Sequence, residues 1–156
     1  MGKTYDFLLK VLKVLIVLII IVSIAVFVKN NNEKKQVQQA LITVGHELQA
    51  THINGYSGNQ YNDKGAIKAE MAVKNVDEIF VRCKNGLPNL GPQFEKLDNY
   101  YASLTIVAKL PDGDTQGLDI PIDQIDEIEW DSLNNFDEFL DYTNMMFIKS
   151  VKKISK

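Results

Sequence analysis

Apolar residues crowd one end of this chain and recur at regular intervals through the rest. From Val14 to Val28 only Ser23 and Ala25 interrupt a run of large apolar side chains, and Phe7, Leu8, Leu9, Val11 and Leu12 extend it upstream past Lys10 and Lys13. Leu8–Val28 is 21 residues; at 1.5 Å per residue a helix of that length spans about 32 Å, enough to cross a hydrocarbon core of ~30 Å. The two lysines lie near its N-terminal end, where long side chains reach the head groups. The apolar stretch is longer than the ~7–15 residues of a signal-peptide core, and Val26-Phe27-Val28-Lys29-Asn30 is a poor cleavage sequence, so the segment is expected to stay as an anchor. Leu8, Leu9, Leu12, Leu15, Ile19, Val22 and Val26 are expected to meet lipid or other helices.

After Asn30-Asn31-Asn32 the spacing changes. Val37, Leu41, Val44 and Leu48 follow one another at steps of 4, 3 and 4, a narrow stripe along one helix face. One long helix is expected, hydrophobic first and amphipathic after, the stripe packing on the following domain. Ile53–Gly65, with three Gly and three Asn, reads as a loop. Ala66–Val73 reads as a short helix, Glu78–Cys83 as a short strand and Gly86–Asn99 as irregular. Tyr100–Leu110, rich in β-branched and aromatic residues, is the best strand. Pro111–Asp114 is a turn, and Leu118–Ile122 can return as the paired strand, ending at or edged by Pro121. Phe136, Phe139, Leu140, Thr143, Met146, Phe147, Val151 and Ile154 recur at helical spacing. Asn135 and Glu138 form a capping pair at the start, and Lys149, Lys152, Lys153 and Lys156 suit the C-terminal dipole. The fold class is therefore α+β: a long N-terminal helix, a small antiparallel sheet and a C-terminal amphipathic helix. The domains are 1–28 as the membrane-spanning helix, 29–52 as its amphipathic extension and 53–156 as a small soluble head.

Composition adds an electrostatic asymmetry. Net charge is only −3. Yet between Lys109 and Lys149 there is no Lys or Arg, while eleven acids accumulate: Asp112, Asp114, Asp119, Asp123, Asp126, Glu127, Glu129, Asp131, Asp137, Glu138 and Asp141. Such a stretch repels nucleic acid. It reads as a solvated face, or as a docking surface for a basic partner or divalent cations. Asp112, Asp114, Gln116 and Asp123 overlap a calcium-loop pattern, but position eight is Asp119, the closing residue is Asp, and strands flank it; a hairpin turn explains Asp112-Gly113 as well. Beyond that possible calcium, no cofactor is expected. His46 and His52 lie six apart and, with Cys83, lack metal-ligand spacing. As the single cysteine, Cys83 cannot form a disulfide within the chain and is expected to be buried in a strand. No nucleophile elbow or phosphate loop appears, and no enzyme is expected.

One stretch carries a family resemblance. Leu48-Gln-Ala-Thr-His-Ile-Asn-Gly-Tyr-Ser-Gly-Asn-Gln-Tyr-Asn62, then Lys64-Gly-Ala-Ile-Lys-Ala-Glu-Met-Ala-Val-Lys-Asn75, is similar to the segment of type IVb-like pilins between the long helix and the first strand. The layout of hydrophobic helix, amphipathic helix, Gly/Asn loop and small sheet resembles type IV pilins and pseudopilins. The chain departs from their processing site: Gly2 precedes Lys3, and Phe7 stands where the family carries Glu.

The resemblance implies a pilin-like structural subunit or assembly component of a surface filament or secretion machine. Its expected partners are membrane lipid and either copies of itself or other membrane-complex subunits. The alternatives are a small single-pass accessory subunit of another membrane complex and a membrane-tethered binding or sensing domain. Lysines Lys3, Lys10 and Lys13 before the span balance Lys29, Lys34 and Lys35 after it. The short leading tail favours a cytoplasmic N-terminus. The expected location is the bacterial inner membrane, single-pass, with the soluble domain periplasmic or extracellular.

Overall fold

The computed structural model describes residues 2–57 and 64–149, with side chains described over 11–57 and 64–143. The chain divides into two compact units, Met1–Gln36 and Val37–Lys156. The first unit consists of helix α1, which begins at Gly2 and continues to Glu47 in the second. The head unit thus begins at Val37, before the expected boundary at residue 53.

The head holds five strands in the order β1-β2-β3-β4-β5: β1 His52–Tyr56, β2 Gly65–Ala72, β3 Tyr101–Lys109, β4 Thr115–Pro121 and β5 Asn144–Lys149. All neighbours are antiparallel except β2 and β3, which run parallel. Parallel strands need a crossover connection. Here it is made by α2 (Val76–Gly86), a 3-10 turn (Leu87–Asn89) and α3 (Gly91–Leu97). The class is α+β, with the long N-terminal helix, a mostly antiparallel sheet and a C-terminal helix.

Several local expectations are corrected. Ala66–Val73 is not a helix: Gly65–Ala72 is strand β2. Its residues alternate buried and half-buried, with Ile67, Ala69 and Met71 fully buried; that period of two outweighs the helix preference of Ala, Lys, Glu and Met. Glu78–Cys83 lies in helix α2, not a strand. The Asn75 side chain caps the helix by accepting the Glu78 N–H at 3.1 Å, and Glu78 reaches back to accept the N–H of Lys74, the residue before the cap, at 2.7 Å. Ile79, Phe80, Cys83 and Leu87 then face the core at helical spacing. Cys83 is buried as expected, but on this helix.

Gly86–Asn99, expected to be irregular, supplies the 3-10 turn and α3 of the crossover. The Gly/Asn segment is partly strand, since His52–Tyr56 is β1; Gly58–Asp63 lies outside the described residues. The C-terminal helix α4 starts at Phe136 with Asn135 accepting the Glu138 N–H at 2.9 Å, but it ends at Leu140. Asn144–Lys149, including Met146 and Phe147, pairs with β4 as a strand. Ser150–Lys156, with Val151 and Ile154, lies outside the described residues. The hairpin of β3 and β4 turns at Pro111–Asp114 as expected, and β4 ends at Pro121.

One face of the sheet makes the core. Ile67, Ala69 and Met71 of β2, Leu104, Ile106 and Ala108 of β3, and Leu118 and Ile120 of β4 join Ala40, Val44 and Leu48 of α1 and the buried faces of α2 and α3. Phe139 closes one end: its ring lies 6.0 Å from Phe80, 5.7 Å from Trp130 and 6.4 Å from Phe136. The Trp130 indole N–H donates to the Ile125 carbonyl at 3.2 Å, so no polar atom of that ring is stranded.

Candidate functional site: the apolar helix and the surfaces of the head

The described part of α1 contains one segment long and apolar enough to cross a membrane. Leu12, Leu15, Ile19, Val22 and Val26 are each more than half exposed; the side chains of Leu8 and Leu9 lie outside the described residues. The lone hydroxyl of the run, on Ser23, donates to the Ile19 carbonyl at 2.8 Å and so needs no water. Val14–Val28 carries thirteen Val, Leu, Ile and Phe residues; at roughly 0.3–0.6 kcal/mol each, insertion into a bilayer gains about 4–8 kcal/mol. Length and composition are those of a membrane span or a signal sequence.

The same helix ends inside the head. Val44 and Leu48 are fully buried, and Val37 and Leu41 pack against the core. Its last turn closes through Ala50 N–H to Gly45 O at 2.8 Å and Gln49 N–H to His46 O at 3.0 Å, with Gln49 at φ 50°. That is a Schellman closure with glutamine in the left-handed position glycine usually takes. Arg82 of α2 holds it there. Its guanidinium donates to Gln49 O and Ala72 O, both at 3.0 Å, and pairs with Glu78 at 2.6 Å. One side chain thus joins the end of α1, the end of β2 and α2. The Lys74 N–H and Arg82 hold the Glu78 carboxyl below its ordinary pKa.

The other face of the sheet is polar. Glu70 takes hydrogen bonds from Lys68 at 2.7 Å and Lys109 at 3.0 Å, which lower its pKa to about 2. Glu70 in turn raises that of Lys68. Thr105 donates to Asp119 at 2.8 Å. Sequence reasoning missed both the Glu70 pairings and the Arg82 junction. The alternation of Lys68 and Glu70 about Ala69 was the available signal for the first.

The four acidic-loop positions do not converge. Asp112 accepts the Asp114 N–H at 3.0 Å within the β3–β4 turn, where Gly113 takes φ 90°. Gln116 is buried in β4. Asp123 lies beyond the other end of that strand, whose seven residues span about 20 Å. Among the described residues, no group of three or more His, Cys, Asp or Glu is placed to hold a metal. His46 and His52 both border a shallow groove between the end of α1 and β1. His46 approaches Glu47 at 3.5 Å, and His52 shares a 2.8 Å hydrogen bond with Asn54. Burial pushes the Cys83 thiol far above its ordinary pKa, so it is not poised as a nucleophile. A second cleft, between α2 and residues 128–132, places Glu129 and Asp131 beside Trp130. Lys84, on its wall, donates to Leu133 O at 2.6 Å.

Neither a family model, nor a curated protein, nor a solved structure matches this chain.

Proposed function

We propose that this chain is a single-pass protein of the bacterial inner membrane, held by Leu8–Val28. Its head is presented on the periplasmic or outer side. Its work is structural: a pilin-like subunit or assembly component of a surface filament or secretion machine. The observation that carries this reading is the double use of α1. Over residues 11–28 it exposes aliphatic side chains on every side, and its last turns place Ala40, Val44 and Leu48 in the head core. A helix that is both anchor and core element suits a subunit whose head is displayed by its own spine.

The accessory-subunit reading has its own support. Lys10 and Lys13 interrupt the start of the apolar stretch, and a lysine packed without a partner among apolar helices costs several kcal/mol. The base-free acidic stretch from Asp112 to Asp141 also offers a surface for a basic partner.

Shear fractionation of native cells, followed by intact mass of the protein, separates the two. Recovery in the sheared surface fraction supports the filament subunit, and the mass shows whether residues are removed. Retention in the detergent-extracted membrane with an intact N-terminus refutes the filament subunit and favours the accessory subunit.

A further inference from the structure

Helix α1 runs unbroken from Gly2 to Glu47, but its surroundings change along its length. The apolar run ends at Val28. Packing on the head begins at Val37, and Ala40 is the first buried side chain among the described residues of the helix. Between them lie eight residues, Lys29-Asn-Asn-Asn-Glu-Lys-Lys-Gln36. All are exposed except the half-buried Glu33, and the first compact unit closes at Gln36.

Little in this stretch adds to its backbone hydrogen bonds. Among the described residues its side chains make one ion pair, Lys29 to Glu33 at 3.8 Å, with the two side chains 76% and 44% exposed. Lysine ahead of glutamate is also the weaker order on a helix. Asn30, Asn31 and Asn32 carry short polar side chains that compete for backbone groups and favour turns over helix interiors. Helices shorter than about 12–15 residues are marginal in water on their own. Unwinding these eight residues takes no side chain out of the head core, since Ala40, Val44 and Leu48 all lie beyond them. The stretch then rewinds against turns already formed, so no fresh nucleus is needed.

We propose that Lys29–Gln36 is a hinge built into α1. It opens and rewinds locally while the turns from Val37 to Glu47 stay docked. A head held in this way can turn on its tether without drawing its own core apart. That use of the hinge rests on the anchoring reading; the opening itself does not.

Hydrogen exchange of the full chain in mild detergent, read by mass spectrometry of overlapping peptides, tests it. The amides of Asn31–Gln36 should exchange roughly a hundredfold faster than those of Leu41–Glu47, which open only with the head. Replacing Asn30, Asn31 and Asn32 together by Ala should slow exchange of the stretch about tenfold and leave Leu41–Glu47 unchanged. Trp130 emission reports whether the head is intact. If the triple variant alters it, Asn31→Ala alone decides, with an expected slowing of about threefold. Equal protection of the two stretches, or no slowing in the deciding variant, overturns the proposal. The outcome is independent of the anchoring reading, which fractionation tests separately.

Discussion

Gly86 ends α2 against the last turn of α1. A Cβ built there would sit 2.9 Å from the Glu47 carbonyl oxygen and 3.1 Å from its carbon. Its backbone is ordinary right-handed helix, φ −95° and ψ −51°, so alanine is conformationally permitted. Two effects oppose each other. Replacing glycine by alanine in a helix gains about 0.5–1 kcal/mol. Overpacking a filled contact costs about 1–3 kcal/mol. The obstructing atoms belong to backbone, and that turn is fixed by the Schellman closure and by Arg82 on Gln49 O. Overpacking therefore wins, and Gly86→Ala should destabilise the head by about 1–2 kcal/mol. The assay is urea unfolding of the full chain in mild detergent, read from Trp130, the single tryptophan, which is buried beside Phe139. With a urea dependence of about 1–3 kcal/mol per molar, the midpoint should fall by roughly 0.5–1 M. A midpoint equal to or above that of the unmodified chain would refute the reasoning, because it would mean the α1–α2 crossing yields freely.

Phe139→Ala should cost about 3–5 kcal/mol and shift Trp130 emission to the red, since the ring is fully buried among three aromatics. Gln49→Gly should stabilise the head by about 1 kcal/mol and so raise the urea midpoint, because glycine relieves the φ 50° backbone; a lower midpoint would contradict this. Glu70 has its folded pKa depressed to about 2 by Lys68 and Lys109, so its stabilisation is present above the unfolded value and is lost as pH falls from about 4.5 to 2. Glu70→Gln should flatten that part of a stability-against-pH curve. Cys83 should resist iodoacetamide in the folded head and react in urea, as mass spectrometry would show.

The parts of the fold legible in the sequence were those settled by one strong local signal. The apolar run of α1 and the β-branched run of β3 needed no partner to be read. Asn135-Phe-Asp-Glu138 marked the start of α4, and Asn75-Val-Asp-Glu78 carries the same signature at α2, where the cluster Ile79-Phe80-Val81 pulled the reading toward a strand. Past Leu140 the helical spacing continues through Thr143, but the Tyr142 and Thr143 N–H groups fold back to Phe139 O and Leu140 O. Pairing with β4 then claims Asn144–Lys149. That is a non-local contact no short window contains. The same holds for the polar face: Lys109 reaches Glu70 only because β2 and β3 run parallel, with Glu70 opposite Val107. Arg82 was invisible for a like reason, since two of its partners are backbone carbonyls on separate elements. A soluble fragment for solution work should begin before Val37, because one starting at residue 53 would lack Val44 and Leu48.

The parallel pairing of β2 with β3 also governs the order in which the chain can assemble. As the polypeptide emerges, β1 and β2 can form a hairpin, but a two-stranded hairpin is marginal alone. The strand that sits at the centre of the finished sheet, β3, arrives only after the whole helical crossover has been made. Until residue 109 is available, Ile67, Ala69 and Met71 have no neighbouring strand on their open side. Closing that long loop is slow compared with forming a hairpin. The nascent head therefore spends its most vulnerable interval with its apolar face bare and its strand edges open. A chaperone that shields exposed strands would have most to hold at that stage and little once Lys109 has docked.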